Sequence, residues 1–191
     1  MLTTVATLAQ ELDRDPAVEE LLLARLIREA SATIERACQR RFGYQRATDR
    51  LVGDGGRILV LPRTPVHEIH AIHCDGVPVL DWSVLDSRVG LLDRAAGWGW
   101  RAAMSWWGDG PTSPAQFEID ATAGFRLPGC LERDLPEDLE RACLELAKAW
   151  WWARGRDPLA TSESAGSLSH GLAAGLPMVV VELLRPWRRG I

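Results

Sequence analysis

The residues best equipped for chemistry lie between positions 67 and 74, where His67, His70, His73 and Cys74 form the densest set of metal-capable groups in the chain. A structural zinc site needs four ligands converging on a tetrahedron. Along an extended strand side chains alternate, so His67 and His73 share a face and His70 points away unless a bulge resets the count. On a helix the same spacing spreads the rings around the surface. The remaining histidine, His170, falls in a Ser/Gly/Ala-rich stretch. The set therefore reads as polar positions on a half-exposed strand, with a metal-dependent hydrolase kept as a minor alternative. Asp134, Glu137, Asp138 and Glu140 form an acidic cluster, but at the start of a helix such groups serve the macrodipole. GDGG at 53–56 resembles a phosphate loop, yet it lacks the lysine and lies between β-prone runs, so a turn is the better reading. GxSxG, HExxH, Walker GxxxxGK[ST] and a helix-opening GxGxxG are all absent. The sequence points away from an enzyme, and no catalytic, metal or cofactor-binding residue is assigned.

Aromatic and basic residues are more informative. Trp150, Trp151 and Trp152 are consecutive, and at about 100° per residue they fan over some 200° of a helix, wider than one core-facing stripe. A buried tryptophan removes roughly 150–250 Å² from water, so some of this surface is expected to be covered by a partner. Trp98, Trp100, Trp106 and Trp107 form a second aromatic region in a Gly-containing loop, suited to an interface or a small satellite core. The C-terminal run Leu183, Leu184, Arg185, Trp187, Arg188 and Arg189 has the Arg and Trp composition of binding hot spots. These six, with Trp151 and Trp152, are the candidate interface residues.

The elements that must position them are legible from periodicity. Residues 3–12 carry Val5, Leu8, Ala9 and Leu12 at helical spacing. A long helix is expected over 16–42, capped by Asp15, opened by Pro16 and stopped after Arg40 and Arg41 by Gly43, with Leu23, Leu26, Ile27, Ala30, Ile34, Ala37 and Cys38 on its core face. From 48 to 125 the texture turns β-prone: RILVL, VHEIHAIHC, VPVL, SVLD, GLLDR and QFEIDA are separated by Gly, Pro and Asp, with Asp75-Gly76 marking a hairpin. Val66, Ile69 and Ile72 break strict alternation, which calls for a β-bulge. A second long helix is expected over about 135–154, with Asp134 as cap. TSESAGSLSHGLAAG then reads as a linker, and Pro177 opens a short helix or strand that Pro186 ends. The expected layout is α+β, a mainly helical bundle with long helices and a small inserted β-rich region. Its divisions are residues 1–160 with the insertion at about 48–125, a flexible linker at 161–176, and a C-terminal docking tail at 177–191.

Size and composition set the remaining bounds. The 191 residues suffice for an ordinary core, and with 25% charged and 47% apolar residues the chain is expected to fold. A net charge of −4 argues against a protein built to grip phosphate backbones, leaving a nucleic-acid-binding module as a weaker alternative. The N-terminus lacks the basic flank and apolar core of a secretion signal, and no run approaches a membrane span, so a cytoplasmic site of synthesis and no membrane contact are expected. Cys38, Cys74, Cys130 and Cys143 form no CxxC pair and read as reduced thiols, two of them on helical core stripes.

The order of these elements resembles the head-to-tail connector adaptor family of tailed phages, also found in gene transfer agents. The resemblance rests on Ile27, Ala30, Ser31, Ile34, Glu35, Arg41 and Phe42 in the first long helix and on Pro65, Val66, Ile69, Ile72, Asp75 and Gly76 in the insertion. It continues through Ala123, Gly124 and Phe125, then Leu135, Pro136, Asp138, Leu139 and Ala142 at the second long helix. Asp120, where members often carry an apolar residue, and the Trp-rich loop at 98–107 depart from the pattern. The resemblance implies a structural virion protein that forms a homo-oligomeric ring of about twelve copies after DNA packaging. That ring would dock on the portal protein on one side and on a stopper, head-closure or tail protein on the other. Genomic DNA would pass through its channel without specific binding, assembly taking place in the host cytoplasm.

Overall fold

A computed structural model describes residues 1–99, 115–154, 162–165, 168–171 and 176–188. The chain divides into two compact units, one formed by Met1–Arg40 with Arg126–Ile191 and the other by Arg41–Phe125.

The first unit is helical. Helix α1 (Val5–Leu12) is capped by Thr4, whose hydroxyl accepts from the Thr7 amide at 3.1 Å. Helix α2 (Pro16–Cys38) starts as the sequence predicts: the Asp15 carboxylate accepts from the Ala17 amide at 2.9 Å and Pro16 occupies the first turn. A kink at Glu19 (φ −113°, ψ 15°) separates that turn from the rest. The helix ends at a left-handed Gln39, short of the predicted Phe42, because Phe42 is buried in the other unit, where its carbonyl accepts from the Phe125 amide. Helix α3 (Glu137–Ala153) is preceded by Pro136 and has no side-chain cap; Asp134, the expected cap, instead accepts from the Arg126 amide. Helix α4 (Met178–Leu184) runs into a single 3₁₀ turn at Arg185–Trp187. Helix α3 packs against α1, α2 and α4. Leu23, Leu26, Ile27, Ala30 and Ile34 of α2 and Leu139, Ala142, Leu146 and Ala147 of α3 are buried, each large side chain contributing about 1.5–3 kcal/mol.

The second unit is a β structure of seven strands: β1 (Gln45–Val52), β2 (Ile58–Val60), β3 (Val66–Cys74), β4 (Val77–Pro78), β5 (Ser83–Asp86), β6 (Leu91–Asp93) and β7 (Gln116–Ala123). They form two antiparallel sheets, ordered β1-β7-β3-β4 and β2-β6-β5. Leu59, Leu61, Val66, Ile72, Val79, Leu92, Trp98, Phe117 and Ile119 lie in its core, and Trp98 meets Phe117 edge-on at 5.2 Å. The Asp75-Gly76 turn has positive φ at both positions, as a two-residue hairpin requires, and joins β3 to β4. Arg63, 4% exposed, donates to Asp49 at 2.9 Å and to the carbonyls of Gln45 and Ala47, tying itself to β1.

This unit overturns the expectation of a mainly helical bundle with a small β-rich insertion. The sequence reading assigns no strand before residue 57, yet β1 pairs along its full length with β7, and the seven strands enclose a core of their own. Strand β1 shows no apolar alternation because its outward positions are held by charge. Arg46 bonds Asp120 across the ladder, and Arg50 pairs with Glu118 at 2.9 Å.

Two further strands, β8 (Ser162–Ala165) and β9 (Leu168–Gly171), pair antiparallel within the segment expected to be a linker, whose remaining residues at 161, 166–167 and 172–175 lie outside the described residues.

Candidate interaction surface

The histidine segment settles into β3 through two bulges. Val66 faces Ala123 and Glu68 faces Thr122, so His67 is an extra residue; Ile69 faces Ala121 and Ala71 faces Asp120, so His70 is another. Each bulge lengthens the two-residue repeat to three, which brings Val66, Ile69 and Ile72 onto the core face. The bulged rings are held by β7: His67 Nε2 lies 2.9 Å from the Gly124 carbonyl and His70 Nε2 lies 2.8 Å from the Thr122 hydroxyl. Tyr44 stands edge-on to His67 at 5.0 Å. Among the described residues no group of three or more His, Cys, Asp or Glu side chains is placed to hold a metal ion.

The acidic cluster is structural in the same way. Glu140, 5% exposed, accepts from the Thr3 hydroxyl at 2.9 Å and pairs with Arg133 at 2.7 Å, while Glu137 takes the same guanidinium at 2.6 Å. Glu11 bonds Lys148 at 2.8 Å, and that hydrogen bond holds its carboxyl below the ordinary carboxylate range. GDGG forms a turn in which Asp54 accepts from the Gly56 amide at 2.8 Å. Among the thiols, burial pushes Cys38 up and Cys143 up to about 11, while Cys130 is exposed.

The three tryptophans divide as the helical fan requires. Trp151 is 2% exposed and meets two guanidinium groups, Arg154 at 3.4 Å from its ring centroid and Arg14 at 5.9 Å. Trp150 is half-buried, and Trp152 is 60% exposed. Of the C-terminal candidates, Leu184 is fully buried together with Val180; Leu183 and Trp187 are half-buried; Arg185 and Arg188 are exposed. Arg189 lies outside the described residues, as do Trp100, Trp106 and Trp107. Trp98 belongs to the main core of the β unit. The interface candidates therefore separate into Trp151 and Leu184, which fill their own unit, and Trp152, Arg185 and Arg188, which face outward.

Sequence reasoning missed a second outward set. Val18 and Leu21, 79% and 87% exposed, lie on α2 opposite its core stripe, and Met178 and Val179 are exposed on α4. The signal was present in EELLLARL, where three successive leucines cannot share one face. Among the described residues no helix is long and apolar enough to cross a membrane.

No protein-family model matches the sequence, and no curated protein matches it. Solved structures do. A chain in the neck of a native gene transfer agent particle, computed with C12 symmetry, matches with a TM-score of 0.56 and 25% identity over 98% of this chain and 88% of that one. A chain in the neck of an empty particle, computed with C6 symmetry, matches with a TM-score of 0.55 and 24% identity over 91% and 80%. One in the virion of a native particle gives 0.54 and 24% over 91% and 79%. The resemblance to the head-to-tail connector adaptor family read from the sequence is thereby borne out, on a fold shared with proteins of the gene transfer agent neck.

Proposed function

We propose that this chain is a non-enzymatic structural subunit of a phage-like particle that assembles into a ring of about twelve copies and joins the portal to the stopper or tail. The observation that carries the reading is a fold shared over 98% of the chain with a component of a native gene transfer agent neck. The symmetric reconstructions of those necks support a multimeric ring, in which each face of a subunit meets a different face of the next. The C-terminal residues supply the portal contact: half-buried Trp187 ends the 3₁₀ turn after α4, exposed Arg188 follows it, and Arg189 continues the basic run. Trp152 adds aromatic surface on the same helical unit. The acidic balance of the chain suits a channel that DNA crosses without being held.

Purified protein mixed with its cognate portal and imaged by electron microscopy tests this. Rings on the narrow end of the portal are expected. Removing residues 186–191 spares the buried Val180 and Leu184 and is expected to abolish docking with the helical unit still folded. Full-length protein that never associates with the portal refutes the reading.

A further inference from the structure

Two apolar surfaces of the helical unit are left uncovered among the described residues. The first is the start of α2. Val18 and Leu21 project away from the core stripe, and with Leu22, Glu20 and Arg154 they border a shallow concavity of about 640 Å³. Glu20 is exposed and has no ionic partner among the described residues. With Glu19 facing Arg154 at 3.9 Å, Glu20 is the acidic charge left over at the edge of this apolar surface. Beyond Leu22 the outward face of α2 becomes polar, with Arg25 bonded to Glu29 and Arg28 bonded to the Ala24 carbonyl. The exposed apolar stripe is confined to the first turns.

The second surface is the outward side of α4. Val180 and Leu184 turn inward, which leaves Met178, Glu182 and Arg185 on the opposite side of the helix, with Val179 beside them. Met178 is 74% exposed, and the Arg185 side chain is 81% exposed with only a loose 3.9 Å contact to Glu182. This surface has an apolar end at Met178 and Val179 and a basic end at Arg185, with Glu182 between them. Helix α3 lies against both α2 and α4.

We infer that these two surfaces are the two halves of one contact between neighbouring copies, the α4 face of one subunit seating on the α2 start of the next. Two different patches are what a head-to-tail ring contact requires; a two-fold contact would use one patch twice. The rims complement each other, since Arg185 of one copy meets the acidic edge at Glu20 of the other, and such pairs fix register and exclude wrong partners. Met178 is unbranched and adapts to a shallow apolar concavity. The contact rests on the ring reading above. It is distinct from the portal contact, which uses Trp187, Arg188 and Arg189.

The test is assembly of the full-length chain as a function of concentration, followed by analytical ultracentrifugation with and without portal. Leu21 is solvent-exposed, so Leu21→Glu leaves the circular dichroism spectrum and melting temperature unchanged and abolishes the ring. Glu20→Arg and Arg185→Glu each raise the concentration at half-assembly by about tenfold, and the double variant restores it to near the original value. A ring that forms normally with Leu21→Glu, or a double variant no better than the singles, overturns the contact and leaves the ring reading standing. Normal rings that no longer bind portal in Leu21→Glu assign the α2 surface to the portal and likewise overturn it. A wild-type chain that stays monomeric even on the portal overturns the ring reading and the contact together.

Discussion

Replacing Arg63 by methionine probes how the β unit is held. The guanidinium is 4% exposed and contributes hydrogen bonds to the Asp49 carboxylate and to the backbone carbonyls of Gln45 and Ala47. Methionine keeps most of the apolar stem but removes every donor. Breaking a buried ion pair by deleting one partner costs about 3–5 kcal/mol. The Asp49 side chain is one-fifth exposed, so water relieves part of that penalty and the lower end, about 3 kcal/mol, applies. Strand β1 is an edge strand whose strand neighbour among the described residues is β7, so the loss falls first on the amides of the β1-β7 ladder. Hydrogen exchange followed by mass spectrometry is the assay: those amides are expected to exchange about 10²-fold faster, while helix α3 exchanges as before. Adding Asp49→Leu to Arg63→Met removes the stranded carboxylate and is expected to recover much of the protection. Exchange in β1 within threefold of the unaltered protein would refute the role assigned to Arg63.

Three other outcomes are expected. Gly124 has φ 105°, and a Cβ there would lie 2.3 Å from the Gly43 carbonyl oxygen, so Gly124→Ala should cost about 3 kcal/mol or more, whereas Gly76→Ala, at φ 84° in open space, should cost about 1 kcal/mol; paired denaturant melts compare them. The Cys143 thiol is raised from 9.0 to about 11 by burial. Its proton is held more tightly folded than unfolded, so its stabilisation is complete below pH 9 and is lost as pH rises toward 11, a difference of about 2–3 kcal/mol that Cys143→Ala should remove from the alkaline limb of a stability profile. Trp98→Ala empties the centre of the β core and should cost about 3–5 kcal/mol, read by loss of soluble protein or by chemical denaturation.

Where local chemistry and burial agree, the sequence was readable. Asp15 and Pro16 open α2, Asp75-Gly76 turns β3 into β4, and the three-residue spacing of Val66, Ile69 and Ile72 does mark bulges. The same sequence hid β1, because a strand supported by cross-strand ion pairs carries none of the apolar alternation on which a strand reading depends. It also ran α2 through Phe42: Arg40, Arg41 and Gly43 make a credible helix end, and only the β unit's demand for Phe42 moves the stop back to Gln39. For the interaction surface, composition selected the Trp and Arg residues as a set but could not divide them into buried and exposed. Trp151 and Trp152 are chemically identical, and only their angle on α3 sends one inward and the other to solvent. Met178 and Val179 raised no signal at all, since apolar residues on a short helix are ordinarily taken as core.

The two bulged histidines give β3 an unusual tolerance. At His67 or His70 the chain can lose one residue and the flanking side chains still keep their sides, since the ordinary two-residue repeat then replaces the lengthened one. A deletion at Ala71, a paired position, would instead swap inside for outside along the rest of the strand. Length in this strand is thus adjustable at two points and rigid elsewhere, so insertions and deletions, and not substitutions alone, are a route by which its polar face can be remodelled without repacking what lies beneath.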